Sequence, residues 1–553
     1  MHDKMRQESL LFFPKVNKRV FGVSAILIVG FIIFGAVFSE TAGTVFSAMQ
    51  GWLAGNFGWA MIILVNILLI AVVYLAFGRF GDIRLGRMNE KPAYDLFSWT
   101  AMLFSAGIGI GLIYWGVAEP LYHYFAPPIG DPETEAAARQ AMVISFLHWG
   151  FHAWAIYAIV ALSLAYFHFR KGLPLTIRSA LYPLLGERIF GFWGDVVDIL
   201  AVFGTMFGIV TSLGLGAMQI NSGLGTVFGI GQSATVQIII IAVITAMATM
   251  SVVAGLDGGI KRLSNINILL SIVFLAFMLV VGPTLFIFDT FVQSYGAYVR
   301  DLVEWGTWAE AWQSDGTWQN SWTIFYWAWW VSWAPFVGVF VARISRGRTI
   351  REFLIGVMLL PATIMFFWFC AFGGTALQIS LGGDASLVEA TREAYGDAMF
   401  ALLDFFPASD LMSGFAIVLI VMWFVTSSDS GSFVIDMLTA GGDPDPPKVQ
   451  RIFWAISEGA VASVLLLAGG LSALQAAAVI AGFPFAIVVF LILIGLFKAL
   501  SWDPLMIYRH NQKYRSDDEA DHAMPNELPG ELYGSDPTLA KPPSGGTAAS
   551  PAE

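Results

Sequence analysis

Stretches of about twenty predominantly apolar residues recur along almost the whole chain, and no other feature restricts its fold so severely. At 1.5 Å per residue such a stretch matches the ~30 Å hydrocarbon core of a bilayer, where backbone N–H and C=O groups must find partners within the protein. Helices meet that demand segment by segment. The reading is an all-α integral membrane protein with twelve transmembrane helices, near 19–39, 57–79, 97–118, 143–167, 194–222, 234–254, 264–288, 322–343, 350–377, 410–430, 450–470 and 474–498. Composition agrees, with 57% hydrophobic and 12% charged residues among 553 and a mean hydropathy of +0.70, far from the usual soluble domain. The first run exceeds the ~7–15 apolar residues of a signal peptide and precedes no convincing small-residue cleavage site, so it is expected to remain as a helix.

Orientation follows from the basic residues. All but three of the 29 Lys and Arg residues fall in the N-terminus, the even-to-odd loops and the C-terminal tail, the exceptions being Arg139, Arg300 and Arg392. The positive-inside rule then puts both termini in the cytoplasm of a bacterial inner membrane. The net charge of −11 gathers in outward loops and in the tail, and carries little functional weight. Residues 1–18 read as a cytoplasmic N-terminus and 19–96 as two peripheral transmembrane helices. A periplasmic amphipathic connection covers 289–321, and the acidic Pro- and Gly-rich tail at 501–553 reads as disordered. A second outward loop, 378–409, is long enough to fold over an entrance. Cys370 stands alone, which excludes an intramolecular disulfide.

Two spans depart from plain apolar helix, and both read as interrupted. The third carries Ser105, Ala106, Gly107, Ile108, Gly109, Ile110 and Gly111 in succession. Gly107 and Gly111, four apart, could simply let two helices pack closely. Gly109 lies on the opposite face, and three alternating glycines weaken a helix more than close packing requires, which favours an unwound, ligand-facing segment. The tenth span carries a hydroxyl run from Thr426 through Ser427 and Ser428 to Ser432. Such oxygens suit Na⁺ when combined with carbonyls freed at a break, although Ser and Thr also bond back to their own helix. Asp429 within the run is an intramembrane carboxylate and a functional candidate for that reason.

The aromatic residues are a sharper signal. Trp149, Trp154 and Tyr157 lie in the fourth span, and Tyr326, Trp329, Trp330 and Trp333 in the eighth; Trp154 and Tyr157, near mid-span, and Trp330 and Trp333, two to three turns in, lie deeper than the interfacial zone where membrane Trp usually sits. Tyr326, Trp330 and Trp333 share a helical face by spacing, as do Trp149 and Tyr157. A trimethylammonium group has no N–H to donate, so it is recognised chiefly by aromatic faces around its diffuse charge, each contact giving about 0.5–2 kcal/mol. The glycine segment Gly107, Ile108, Gly109 and Gly111 offers no acid to neutralise a bare cation, which favours a zwitterion whose carboxylate uses its backbone N–H groups.

At these residues the chain resembles the betaine/choline/carnitine transporter family. The resemblance spans nearly the whole chain and is most specific in Gly107–Gly111 continuing to Gly116-Val117-Ala118-Glu119-Pro120, in His148-Trp149-Gly150-Phe151-His152, and in Trp327–Trp333 running on through Arg343–Phe353. It implies the amino-acid-transporter fold of two inverted five-helix repeats, 97–288 and 322–500, preceded by two extra helices, and assembly as a homotrimer. It also implies that Trp149, Trp154, Tyr157 and Trp330 form the substrate cage, with Trp329 and Trp333 on the pathway. A Na⁺ site would use Ser105, Ile108, Trp423, Thr426 and Ser427. For a second Na⁺ site only Thr205 is matched, its partner position being Ile209. Family members that prefer choline carry an acid at the position of Gly111.

The expected function is thus Na⁺-coupled symport of a zwitterionic quaternary-ammonium or sulfonium solute, such as glycine betaine or dimethylsulfoniopropionate, by alternating access. H⁺-coupled choline uptake and Na⁺-independent exchange are the alternatives. Na⁺ is the coupling ion, no covalent cofactor and no nucleic-acid partner is expected, and membrane lipid surrounds the bundle. No nucleophile or acid–base constellation suggests an enzyme. His148 and His152, four apart, permit a metal but lack an evident third ligand. The basic run Arg343–Arg351 reads as a topology anchor.

Overall fold

The long apolar runs become long helices. The computed structural model describes residues 7–10, 13–107, 109–254, 260–312, 317–443 and 445–507, with side chains from residue 16 onward except 104–107, 252–254 and 260–264. A two-stranded antiparallel hairpin, Gln7–Leu10 with Phe13–Asn17, departs from the all-α expectation. It leads into α1 (Lys18–Val37), whose first turn Asn17 caps by accepting from the N–H groups of Arg19 and Val20. After Phe38 alone, α2 (Ser39–Phe77) begins. The sequence reading starts this helix at 57, because 39–56 is rich in polar and small residues. Those residues extend the helix instead, donating back one turn: Thr44 to the Glu40 carbonyl at 3.0 Å and Asn56 to that of Trp52 at 2.7 Å.

The third span is broken. Helix α3 (Leu96–Gly107) and α4 (Ile110–Phe125) are separated at 108–109, where Gly109 is fully extended and no side chain caps α4. The fourth span is divided as well, which the sequence reading does not anticipate: α5 (Glu135–Trp149) and α6 (Phe151–Ala165) meet at Gly150, with φ −96° and ψ −137°. A Cβ on Gly150 would stand 2.6 Å from Phe366 Cζ, so only glycine lets that ring close on the break. Then follow α7 (Phe192–Phe228), ending on left-handed Gly229, and α8 (Ala234–Ala254). Helix α9 (Ile260–Val281) turns by 110° into α10 (Thr284–Thr307).

The second half opens with α11 (Thr323–Ile344). Helix α12 (Ile350–Phe369) starts on a capping box of Thr349 and Glu352 and continues through a π turn to Leu381. After it come α13 (Ser409–Thr439), α14 (Lys448–Gly469) and α15 (Leu471–Ser501). The expected interruption of the tenth span is absent, since α13 is continuous through the hydroxyl run. Several of its polar groups are satisfied locally or by neighbours. Thr426 donates to the Met422 carbonyl at 2.8 Å, Ser428 to Glu458 at 2.9 Å, and Asp429 accepts from Arg451 at 2.5 Å and Ser251 at 2.8 Å. Asp429 is therefore half of a buried ion pair and does not face the cavity described below.

Among the described residues, ten helices or helix runs are long and apolar enough to cross a membrane, and the bent α9–α10 pair makes eleven. The halves of the expected third span, 12 and 16 residues, are each too short to cross alone. Helices α5, α6, α7 and α11 form the most buried part of the bundle, whereas α1 is largely exposed along its length. Beyond α15 the chain is held to the bundle. Arg170 donates from Nε and Nη2 to both oxygens of Asp503 at 2.6 and 2.7 Å, and the Tyr166 hydroxyl adds a bond of 2.9 Å. Burial pushes the Asp503 carboxyl up, but the Arg170 guanidinium outweighs it and holds the group below its ordinary value.

Candidate functional site

The two broken spans and α11 converge on a cavity of about 750 Å³. Trp149, at the end of α5, packs edge-on against Trp330 with centroids 4.9 Å apart, and Trp330 stacks on Trp329 at 4.7 Å and 15°. Tyr157 meets Trp330 at 6.2 Å and Trp154 at 5.5 Å. All of these rings line the cavity, as does Trp333. Their polar edges are pinned. Trp330 donates to the His148 carbonyl at 2.8 Å, while Trp329 and Trp333 both donate to the Gly208 carbonyl, at 3.3 and 2.6 Å. The indole faces are thereby left for a guest.

At the helix break, Gly109, Ile110 and Gly111 line the same cavity. A Cβ on Gly111 would stand 2.8 Å from Trp329 Cη2 and 3.1 Å from Trp149 Cη2. No larger residue fits between those rings without moving them. Ser212, Trp423, Thr426, Ser427 and Ser430 supply the polar wall. Among the described residues, none that lines the cavity is an Asp, Glu, Lys or Arg. The cavity reaches the surface where α3 begins, since Tyr94 and Phe97 line it and are 42% and 83% exposed. Away from that mouth, Trp322 packs on Trp115 at 5.3 Å and on Tyr122 at 4.5 Å, and Tyr395, from the 378–409 connection, closes on Trp115 at 5.5 Å.

A broken helix beside a neutral aromatic cavity is transporter architecture, and comparison with known proteins decides which kind. The description "BCCT, betaine/carnitine/choline family transporter" matches residues 19–504. The chain belongs to this family. It is 45% identical over 493 residues to a glycine betaine transporter of Acinetobacter baylyi, covering 89% of this chain and 74% of that one. Glycine betaine transporter OpuD of Bacillus subtilis is 44% identical over 484 residues, covering 87% and 94%. A glycine betaine/proline/choline transporter of Vibrio parahaemolyticus is 42% identical over 511 residues, covering 88% and 91%. The protein is accordingly a multi-pass membrane transporter of the betaine type, and not an enzyme.

The transporter brings together some of the residues singled out from sequence and separates others. Trp149, Trp154, Tyr157, Trp329, Trp330, Trp333, Gly109 and Gly111 line one cavity; Gly107 ends α3, and its place relative to the cavity lies outside what is described. Of the residues named for Na⁺, Trp423, Thr426 and Ser427 lie on the wall. Ile108 and the Ser105 side chain lie outside the described residues. The Thr426 hydroxyl also accepts from Asn267 at 2.8 Å, so α9 fixes its orientation. Thr205 is fully buried away from the cavity, and Ile209, one turn on, packs against Gly431. His148 and His152 do not converge, because His152 pairs with Asn66 at 3.2 Å.

Tyr326 also departs from its expected place. It shares a face with Trp330 by spacing, yet it sits one layer behind the cavity, stacked on His148 at 4.6 Å and donating to Glu119 Oε2 at 2.5 Å. Glu119 is the residue that sequence reasoning missed, although it stands in a quoted motif. Its oxygens also accept from Trp149 Nε1 at 2.8 Å and His148 Nδ1 at 2.7 Å, with His123 Nε2 at 3.5 Å. The rule that flagged Asp429, an intramembrane carboxylate, applies equally to Glu119. Glu119, His123 and His148 bring three ligating atoms within 4.8 Å of one another. Both Glu119 oxygens and both His148 nitrogens are occupied, the latter through Thr323 at 3.0 Å, so the group is a hydrogen-bond hub.

Proposed function

We propose that the transporter is a Na⁺-coupled symporter for a zwitterionic quaternary-ammonium or sulfonium solute, glycine betaine being the type substrate. One observation carries the reading: a cavity walled by six aromatic rings, four of them pinned by hydrogen bonds, and a helix break has no charged side chain among the described residues that line it. A bare cation would leave such a cavity with uncompensated charge. A zwitterion brings its own balance, its ammonium end resting on the indole faces and its carboxylate turned toward the N–H groups at the start of α4. The hydroxyls of Thr426 and Ser427 with the Trp423 carbonyl, across from the break that contains Ser105 and Ile108, would hold Na⁺ as co-substrate. A second Na⁺ at Thr205 receives less support, because Ile209 offers no oxygen.

In this reading twelve helices cross the membrane, the broken third counted as one, with two inverted five-helix repeats following α1 and α2. Both termini are cytoplasmic in a bacterial inner membrane, and three copies assemble. The mouth beside Tyr94 and Phe97 then opens to the cytoplasm, and the rings around Trp115 and Trp322 form the closed outer gate of an alternating-access cycle.

Reconstituted protein tests this directly. Radiolabelled glycine betaine should accumulate in proteoliposomes under an inward Na⁺ gradient and not under an equal K⁺ gradient. Uptake indifferent to Na⁺ would overturn the coupling. In a competition panel, choline displacing label better than glycine betaine or dimethylsulfoniopropionate would overturn the zwitterion preference.

A further inference from the structure

Glu119 is fully buried one layer behind the cage, and among the described residues no Arg or Lys reaches it. Its partners are the imidazole of His148, the phenol of Tyr326 and the indole of Trp149. His148 meets Oε1 through Nδ1 at 2.7 Å, and its Nε2 lies 3.0 Å from the Thr323 hydroxyl. Tyr326 and Trp149 share Oε2. His123 Nε2 lies 3.5 Å from Oε1, and its ring is packed among Tyr122, Trp318 and Trp322. The Glu119 carboxylate thus sits at the centre of a set of donors and rings, with no Arg or Lys beside it among the described residues.

That charge is tied to a cage wall. The indole N–H of Trp149 ends on the carboxylate, while the ring of the same residue lines the cavity and meets Trp330 edge-on at 4.9 Å. A charge-assisted hydrogen bond at Nε1 pushes electron density into the indole, and the negative face of the indole is what attracts a cation. Glu119 is fully buried, so the carboxylate acts through a low-dielectric layer. A carboxylate on the wall itself would pair with any bare cation. One layer back, behind an indole, it favours a positive end without supplying a counter-ion for it.

We propose that Glu119 is a specificity-determining residue that acts through Trp149, making the cage selective for a positively charged trimethyl group over a neutral group of the same shape. This rests on the substrate class proposed above, and the test separates the two claims. Glycine betaine and its neutral-headed carbon analogue, 3,3-dimethylbutanoate, have the same shape and carboxylate and differ in the charge of the trimethyl end. Binding of each is measured by tryptophan fluorescence on purified full-length protein.

In Glu119→Gln, which keeps an acceptor for Trp149 and Tyr326, glycine betaine should weaken at least five-fold while 3,3-dimethylbutanoate stays within two-fold. Glu119→Asp should restore most of the preference for glycine betaine. Equal weakening of both ligands would make Glu119 a packing residue only and overturn the proposal. Failure of wild-type protein to bind glycine betaine at all would instead overturn the substrate class. Should the Gln variant fail to assemble, Tyr326→Phe reads the same effect in the other direction. Without the phenol, more of the Oε2 charge falls on Trp149, so the ratio of glycine betaine to 3,3-dimethylbutanoate affinity should rise. An unchanged ratio overturns the proposal.

Discussion

Trp330 is held from both sides, its N–H on the His148 carbonyl and its ring between Trp329, Trp149 and Tyr157. Such a side chain presents a face that does not need to be ordered when a guest arrives, which is where preorganised sites gain affinity. Trp330→Leu keeps an apolar filler but removes the π face. Glycine betaine affinity should fall several-fold, about 0.5–2 kcal/mol for the lost contact, with the yield of folded protein retained; equilibrium binding checks it. Depth and spacing made this cage legible in the sequence, because Trp residues so far from an interface need another reason to be there. Glu119 was not legible in the same way. Its partners Trp149, His148 and Tyr326 come from two other helices, and only folding shows that their donors converge on one carboxylate.

At the scale of elements, the sequence and the structure agree on where helices run and differ on where they break. Three alternating glycines marked the break between α3 and α4. The break at Gly150 went unmarked, since a lone glycine among aromatic residues reads as a packing accommodation, and its Cβ-free contact with Phe366 arises from α12, far away in sequence. The hydroxyl run in α13 misled in the opposite direction. Thr426 and Ser428 have partners on their own or neighbouring helices, and composition cannot distinguish such bonds from ligation of an ion. Gly150 joins the helix carrying Trp149 to the one carrying Trp154 and Tyr157. Gly150→Ala would force Phe366 aside and tilt these helices against each other, at a cost of about 1–3 kcal/mol for overpacking. Uptake should fall further than thermal stability in detergent, because the cage straddles the joint.

At the scale of the whole molecule, ion pairs on its inner side, in the proposed orientation, join distant parts of the chain. Arg170 and Asp503 connect the end of the α5–α6 span to the segment after α15. Breaking such a buried pair leaves one charge alone, so Asp503→Ala should lower stability by about 3–5 kcal/mol. The pH dependence follows from the depressed Asp503 carboxyl. Its contribution is fully present above the unfolded value of about 3.9 and is lost only as pH falls through the lower folded value. The melting-temperature gap between wild type and Asp503→Asn should thus stay constant from pH 5 to pH 8 and narrow below pH 4. The uncharged wall of the cavity has an electrical consequence at this scale. When its mouth alternates between the two faces, no charged wall residue is carried through the membrane field, and a zwitterion adds no net charge. In the proposed Na⁺-coupled cycle the voltage then acts mainly on the coupling ions, at about 2.3 kcal/mol per ion for each 100 mV, so the current that accompanies each molecule of substrate would count the ions that drive it.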